Sequence, residues 1–172
     1  ARIHFDIDGA VMITGSHNPP DENGFKISCG AGTIYGEEIQ RLRALMEKEE
    51  FTTGDGTVEE RDVVAPYLAM LGEKIKLGPR RLKVAVDCGN GTASLFAKHI
   101  LRGWGCEVIP LYCESDGSFP NHQPDPVKTA NLKDLRRVVL EEKCDIGIAY
   151  DGDADRIGVV DEKGNIIWGD TL

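Results

Sequence analysis

The sequence predicts an α/β fold with mixed sheets, because short apolar runs alternate with amphipathic segments along most of its 172 residues. Two of the apolar runs, 82–87 (LKVAVD) and 146–150 (IGIAY), have the length and composition of buried strands. The segment 131–143 between them repeats its apolar residues at helical spacing and predicts a helix. The apolar face of this helix consists of Leu132, Leu135, Val138 and Val139.

The first part of the chain predicts two strands and two helical segments. Residues 2–9 are predicted to hold the end of a helix and a turn, 11–13 (VMI) a short buried strand, and 24–28 (GFKIS) a second strand. A loop over 30–36 leads to a helix predicted over 37–50. We expect the apolar face of that helix to be core. Its residues are Ile39, Leu42, Leu45 and Met46.

The turn-rich segment 51–57 (FTTGDGT) is the predicted boundary between two domains, which would span 1–57 and 58–172. A helix is predicted next, over 61–76, and Pro66 either fits its first turn or breaks it. The second domain would then contain most of the predicted sheet.

The second domain is predicted to alternate strands with helices. Its remaining elements are strand 82–87, helix 92–104, strand 107–112, loop 115–129, helix 131–143, strands 146–150 and 157–160, and a hairpin turn at 161–165. We expect Asn131 to be the N-cap of its helix. His122 lies in the proline-rich loop, where we expect it to order the loop by hydrogen bonding rather than to bind a metal.

Composition disfavours several classes of function. The net charge of −9 argues against binding to nucleic acid or to an anionic membrane surface. No apolar run reaches the length of a membrane span. The five cysteines are scattered and form no C-x-x-C pair, which argues against a zinc site and a disulfide framework. We expect reduced thiols and a cytoplasmic location.

The first stretch that suggests chemistry is the polar loop TGSHNPP, which directly follows the predicted strand 11–13. Gly15 lets the backbone approach a ligand, and Ser16 would lie at the loop tip beyond a strand end, where α/β folds bind ligands. An ordinary turn of Ser, Asn, Gly and Pro is the alternative. A serine hydrolase fits poorly, since the flanking glycines of its G-x-S-x-G turn are replaced by Thr14 and Asn18.

The second stretch is DGDADR, in which Asp151, Asp153 and Asp155 alternate with small residues between two apolar strands. Three carboxylates this close repel one another unless a cation or a basic group is present. Hard oxygen ligands of this kind suit Mg²⁺, Mn²⁺ or Ca²⁺. A solvated acidic turn is the alternative. An EF-hand is disfavoured, because its sixth position requires glycine but holds Arg156, and its flanks are strands.

These two stretches resemble the phosphoserine and metal-binding loops of the α-D-phosphohexomutase superfamily, and most closely those of its bacterial branch acting on mannose and glucose phosphates. Two further stretches support the resemblance, 86–92 (VDCGNGT) and 116–126 (DGSFPNHQPDP). All four occur in the family's order across nearly the whole chain. The family's metal loop more often reads DGDGDR, so Ala154 is a departure, but it replaces no expected ligand.

The resemblance implies a hexose-phosphate mutase, an isomerase in which Ser16 is phosphorylated and exchanges its phosphoryl group with the sugar. Mg²⁺ would be bound by Ser16 and by the three aspartates, and glucose 1,6-bisphosphate would be the activator. The resemblance also implies catalytic roles for His17, Lys26 and Arg156. Their positive charges would offset the excess negative charge of carboxylates and phosphate.

Because family members have about four domains, the resemblance also implies that the chain is a fragment with one partial and one near-complete α/β domain. Domains 3 and 4, which hold most of the sugar contacts, would be absent, and we expect the fragment alone to be inactive. Glucose, mannose and amino-sugar phosphates remain open as substrates, the last through a phosphoglucosamine-type mutase.

Two alternatives from other classes remain. One is a divalent-metal-binding module that uses only the aspartate loop. The other is a nicotinamide-dependent oxidoreductase, since the residues from Gly89 to Ser94 nearly match G-x-G-x-x-G between a strand and a helix. The third glycine is replaced by Ser94, so we prefer a structural strand-to-helix turn at this position.

Overall fold

The computed structural model describes residues 2–16, 18–19, 21–49 and 51–171. The chain divides into two compact units, of which one comprises Ala1–Ile13 and Phe25–Ala69 and the other Thr14–Gly24 and Met70–Leu172. The predicted division into domains at residue 57 remains a prediction. Among the described residues, no helix combines the length and the apolar character needed to cross a membrane.

The first unit contains a three-stranded antiparallel sheet in the order β1-β2-β3. Its elements are α1 (Arg2–Phe5), β1 (Gly9–Ile13), β2 (Phe25–Cys29), β3 (Gly32–Thr33), α2 (Glu37–Glu47) and the first part of α3 (Val64–Lys74). The strands β1 and β2 and the helices agree with the predictions, but α2 ends before Glu50. The short strand β3 lies in the segment that we predicted to be a loop. Pro66 lies in the first turn of α3, where its missing N–H is tolerated.

The apolar residues of the first unit are more exposed than we predicted. The strand residues Val11 and Ile13 are 59% and 67% exposed, so the prediction of a buried strand is wrong. The prediction that the apolar face of α2 is core is also wrong, since α2 has no buried residue and Met46 is 60% exposed. The first unit has too few other elements to cover both faces of a sheet of three short strands.

The second unit is built on a five-stranded mixed sheet in the order β5-β4-β6-β7-β8. Its strands are β4 (Lys83–Asp87), β5 (Glu107–Leu111), β6 (Ile146–Tyr150), β7 (Ile157–Asp161) and β8 (Ile166–Ile167). The strands β5, β4 and β6 are parallel, whereas β7 and β8 are antiparallel to their neighbours. Its principal helices are α4 (Ala97–Gly103) and α5 (Lys133–Glu141).

The two helices cover opposite faces of this sheet. Val84 and Val86 of β4 belong to the same cluster as Leu101 of α4, while the intervening Ala85 packs in the other cluster with Leu135 of α5. This division follows from the two-residue repeat of a strand, which sends successive side chains to opposite faces. A helix on each face of a mixed sheet is the α/β architecture that the sequence predicts.

Two helix predictions in this unit require correction. The predicted helix 92–104 is divided into a 3₁₀ segment, Thr92–Leu95, and α4, because Phe96 has φ −127° and ψ −39° and interrupts the helix. Asn131 is not the N-cap of α5, which begins at Lys133. Asn131 lies within a preceding 3₁₀ segment, and its amide nitrogen donates a hydrogen bond to the Asp125 carbonyl oxygen.

The buried face of α5 gives a direct test of the core. We expect Leu135→Ala to lower the free energy of unfolding by about 2–5 kcal/mol, because this side chain is fully buried and its removal leaves a cavity. Leu140 lies on the same helix and is 53% exposed, so Leu140→Ala should cost less than about 0.5 kcal/mol. Urea denaturation of both variants measures the difference. Equal losses would contradict the packing of α5 on the sheet.

Candidate active site

The serine loop, residues 14–24, begins and ends at two residues that lie close together. It is closed at its ends by a 2.9 Å hydrogen bond from the Thr14 N–H to the Gly24 carbonyl oxygen. At Gly15, a Cβ atom would lie 2.5 Å from the Glu22 carbonyl oxygen, so only glycine fits there without displacement of the backbone. Ser16 has φ +53°, a left-handed conformation that non-glycine residues seldom adopt. Such backbone strain is often found at functional sites.

A threonine that we did not single out for a role holds the serine in this conformation. The Thr14 hydroxyl accepts the Ser16 backbone N–H at 2.9 Å and donates to Asp153 Oδ2 at 3.0 Å. The signal was present in the sequence, because a threonine two residues before a turn residue can hydrogen-bond its backbone. Thr14 therefore connects the serine loop to the aspartate loop.

The aspartate loop connects β6 to the antiparallel β7 and brings its three carboxylates together. One ligand oxygen from each of Asp151, Asp153 and Asp155 lies within 4.8 Å of the others. Their burial is graded: Asp151 is fully buried, Asp153 is half-buried and Asp155 is exposed. The cluster is thus anchored in the protein at one end and open to solvent at the other.

The Ser16 hydroxyl lies against this cluster. Its Oγ is 3.3 Å from Asp151 Oδ2 and 3.1 Å from Asp153 Oδ1, at hydrogen-bonding distance from both carboxylates. The structure therefore brings together the serine and the aspartates that the sequence analysis selected from distant parts of the chain. An oxygen-only donor set of three carboxylates and a hydroxyl, or its phosphate ester, suits a hard divalent cation such as Mg²⁺.

The close approach of the two loops depends on Gly152. A Cβ atom at this position would overlap the Ser16 carbonyl oxygen. On its other side, Gly152 is held by Thr92, whose N–H and hydroxyl donate to the Gly152 carbonyl oxygen at 3.0 and 3.2 Å. Gly152 is thus the contact point between the serine loop and the aspartate loop.

Arg156 hydrogen-bonds to Asp151 at the buried end of the cluster. Its backbone N–H donates to Asp151 Oδ1 at 3.0 Å, and its side-chain Nε donates to Asp151 Oδ2 at 3.2 Å. A guanidinium group beside three carboxylates offsets part of their repulsion. Arg156 therefore lies beside the cluster, and its predicted catalytic role remains a prediction.

Of the two remaining predicted site residues, the structure describes only Lys26. Lys26 is an exposed residue of β2 in the first unit, paired across the sheet with Met12. The prediction for His17 falls outside the described residues. The roles of both residues remain predictions.

The glycine turn that suggested a dinucleotide site is filled by protein. A Cβ at Gly89, where φ is +49°, would lie 2.9 Å from Pro124 Cβ. A Cβ at Gly91 would lie 2.8 Å from the Gly152 carbonyl oxygen. This packing favours the structural strand-to-helix turn that we preferred, because the turn packs directly against Gly152 of the aspartate loop.

His122 orders its loop by hydrogen bonding, as predicted. Its Nε2 lies 3.0 Å from Asp87 Oδ2, and its Nδ1 lies 2.9 Å from the Gln123 carbonyl oxygen. Both partners are acceptors, so the protonated, positively charged ring can donate from both nitrogens beside a buried carboxylate. Burial, the largest single influence, lowers the pKa of His122, but the hydrogen bond and charge of Asp87 and the Gln123 carbonyl outweigh it. The pKa of His122 is consequently raised above its usual value.

This ion pair makes stability depend on pH. Because the pKa of His122 is raised on folding, its contribution is complete below about pH 6.5 and is lost as the pH rises through the raised value. We expect His122→Gln to be less stable than the unsubstituted chain at low pH, with a difference that shrinks towards alkaline pH. Urea denaturation from about pH 5 to about pH 9 measures this difference. A constant difference across that range would contradict the ion pair.

Ala154 occupies a position that glycine would fill more easily. Its φ of +62° is left-handed, which costs an L-residue roughly 1–2 kcal/mol. We expect Ala154→Gly to raise the free energy of unfolding by up to about 1 kcal/mol, after the larger entropy of glycine in the unfolded chain is subtracted. Urea denaturation measures the gain. Mg²⁺ affinity should stay within about twofold, since Ala154 supplies no ligand. A clear loss of stability in Ala154→Gly would contradict the left-handed conformation of this residue.

Comparison with known proteins agrees with this geometry. The family model for phosphoglucomutase/phosphomannomutase alpha/beta/alpha domain I matches residues 1–53, and the model for domain II matches residues 65–164. The phosphomannomutase/phosphoglucomutase of Pseudomonas aeruginosa is 51% identical over 162 residues, which cover 94% of this chain and 35% of that protein. The phosphoglucomutase of Neisseria meningitidis serogroup A is 50% identical, with coverage of 93% and 35%.

Solved structures give the same result. A phosphoglucomutase/phosphomannomutase family protein from Burkholderia thailandensis superposes with a TM-score of 0.92 at 43% identity, covering 95% of this chain and 36% of that one. The chain therefore spans about a third of the length of the relatives that it matches, 35% in the Pseudomonas aeruginosa protein. With one family model covering residues 65–164 and another 1–53, the chain belongs to the phosphoglucomutase/phosphomannomutase family.

Proposed function

We propose that this chain carries the phosphoryl-bearing part of the active site of an isomerase that interconverts hexose 1-phosphates and hexose 6-phosphates. The observation that supports this most strongly is the Ser16 hydroxyl, 3.1 and 3.3 Å from two carboxylates of an acidic cluster. A structural turn does not require a serine hydroxyl beside an acidic cluster, whereas a phosphoserine at a metal site does.

Phosphorylated Ser16 would give its phosphoryl group to the free hydroxyl group of a hexose monophosphate. The bond between Ser16 Oγ and phosphorus breaks and a new oxygen–phosphorus bond forms on the sugar. The proton that the sugar hydroxyl loses is balanced by the proton that Ser16 Oγ gains, so the free serine hydroxyl is regenerated. The resulting hexose 1,6-bisphosphate then reorients in the active site. Its other phosphoryl group is returned to Ser16. Added glucose 1,6-bisphosphate would activate the protein by phosphorylating Ser16 directly.

The residues that would hold the cation are Asp151, Asp153, Asp155 and a phosphate oxygen on Ser16. Bound there, Mg²⁺ would supply Lewis-acid stabilisation of the charge on the transferring phosphoryl group. A phosphoserine adds a charge of about −1.5 to −2, so the site as a whole would be strongly negative. Arg156 offsets part of this excess, and we assign further positive charge to His17 and Lys26 from the family resemblance alone.

Mannose and glucose phosphates are the proposed substrates. Relatives named for both sugars or for glucose match at 51% and 50% identity, whereas a probable phosphoglucosamine mutase from Methanopyrus kandleri matches at 37%. The relatives are about three times as long as the region they share with this chain, which is 35% of their length. We propose that the rest of the relatives' length corresponds to domains 3 and 4 with most of the sugar contacts.

A graft tests this proposal. The aligned 162 residues of the Pseudomonas aeruginosa relative would be replaced by those of this chain. We expect the graft to convert mannose 1-phosphate and glucose 1-phosphate into their 6-phosphates, and the 172-residue chain alone to convert neither. A graft that melts cooperatively but turns over neither sugar would contradict the proposed function.

A further inference from the structure

One buried carboxylate near the site, Asp125, takes no part in the proposed phosphoryl transfer. Asp125 is 6% exposed and lies in the loop between β5 and α5. Burial of an ionised carboxylate is costly unless positive charge or hydrogen-bond donors compensate it. A buried Asp125 carboxylate therefore needs a positively charged partner.

The segment that carries Asp125 is fixed by its two neighbouring prolines. Pro124 packs against Gly89 and faces Gly152, since Cβ atoms there would lie 2.9 Å and 3.6 Å from Pro124 side-chain atoms. Pro126 packs against Gly158, where a Cβ would lie 2.8 Å from Pro126 Cβ. The two prolines thus pack where three glycines have no side chain. The segment therefore lies directly against the aspartate loop.

The Asp125 carboxylate faces three groups. Its Oδ1 accepts the Val127 backbone N–H at 3.3 Å and lies 3.6 Å from Arg156 Nη1. Its Oδ2 lies 3.5 Å from Lys128 Nζ, whose side chain is 67% exposed and so contributes little. The substantial charged partner is Arg156, whose side chain is only one-third exposed at 33%.

Arg156 is consequently held between two buried carboxylates. Its Nε binds Asp151 while its Nη1 faces Asp125, so different nitrogens of the planar guanidinium contact the two acids. The Asp151 oxygen that Nε contacts is the same Oδ2 that Ser16 Oγ approaches. A cation that used this oxygen as a ligand would therefore compete with Arg156 for it.

We propose that Asp125 is a positioning residue that holds the Arg156 guanidinium at the edge of the acidic cluster and so keeps the Asp151 carboxylate available to a divalent cation. The inference rests on the proposed function, because it needs a cation at the three aspartates. Without Asp125, Arg156 would pair fully with Asp151 and oppose metal binding.

A double-mutant cycle tests this inference on the 172-residue chain. Asp125→Asn keeps the shape of the side chain and removes its charge, and Arg156→Gln removes the competing guanidinium. Calorimetric titration with Mg²⁺ should show affinity lowered about 5- to 20-fold by Asp125→Asn, and changed less than about twofold by the same substitution in the Arg156→Gln background. Only a residue that acts through Arg156 gives this difference.

Controls separate the possible failures. Asp134→Asn removes a carboxylate of the same unit that binds the Tyr112 hydroxyl, and it should change Mg²⁺ affinity less than about twofold. If Asp125→Asn does not melt cooperatively, Asp125→Glu, which keeps the charge but displaces it, supplies the comparison in both backgrounds. Equal losses in the two backgrounds would overturn the inference alone. Absence of Mg²⁺ binding by the unsubstituted chain would overturn the proposed metal site and the inference together.

Discussion

Replacement of Ser16 by alanine in the graft is expected to abolish hexose-phosphate interconversion, with a loss of at least about 10⁴-fold in turnover. The reason is that the hydroxyl oxygen is the atom that would carry the phosphoryl group, and no other described hydroxyl lies as close to two carboxylates of the cluster. The fold should persist, because the Ser16 side chain is only partly buried and water can replace its hydrogen bonds. Turnover assays and thermal melting measure the two effects.

Ser118→Ala is the matched control for this substitution. Ser118 is an exposed serine of the same unit, and its hydroxyl binds Asp116 rather than the metal cluster. Its replacement should leave turnover unchanged within about twofold. Normal turnover of Ser16→Ala would favour the alternative in which the aspartate loop only binds a divalent metal.

The second large effect is expected at Gly152. A methyl group there would overlap the Ser16 carbonyl oxygen, so Gly152→Ala must push the serine loop away from the aspartates. A displacement of about 1 Å at a reacting group costs roughly 100-fold in rate, and we expect at least that loss of turnover in the graft. Mg²⁺ affinity should fall far less, since the three carboxylates remain.

Gly117→Ala provides the control, because a Cβ at Gly117 would meet no atom within 4 Å. It should alter neither turnover nor thermal stability appreciably. If Gly152→Ala retained full turnover, the close approach of the two loops would not be needed for phosphoryl transfer. A similar loss in both variants would instead indicate a general sensitivity of these loops to alanine.

The sequence predicted most strands and helices of the second unit, because local sequence patterns determine these elements. Alternation of apolar residues and turn signals defined β4 to β7, and helical spacing defined α5. The grouping of Ser16 with Asp151 and Asp153 was predictable only from their residue types. A phosphorylated serine and metal-binding carboxylates must lie close together to act in one site. Nothing local to either loop implies a distance between them.

The features that the sequence did not predict depend on tertiary packing. The exposure of Ile13 and Met46 follows from how few elements cover the first unit, which no pattern within a strand or helix reports. The division of the predicted helix at Phe96, and the roles of Thr14 and Asp125, arise from contacts with residues distant in the chain. Such contacts leave no periodic signal.

The most direct test of the central claim is mass spectrometry of Ser16. The graft would be isolated, digested and mapped before and after exposure to excess hexose monophosphate, with a parallel sample incubated with glucose 1,6-bisphosphate and Mg²⁺. We predict one phosphoryl group on Ser16 that is gained from the bisphosphate and lost to the monophosphate. A Ser16 that remains unmodified after incubation with the bisphosphate, or that keeps its phosphate in the presence of the sugar, would contradict it.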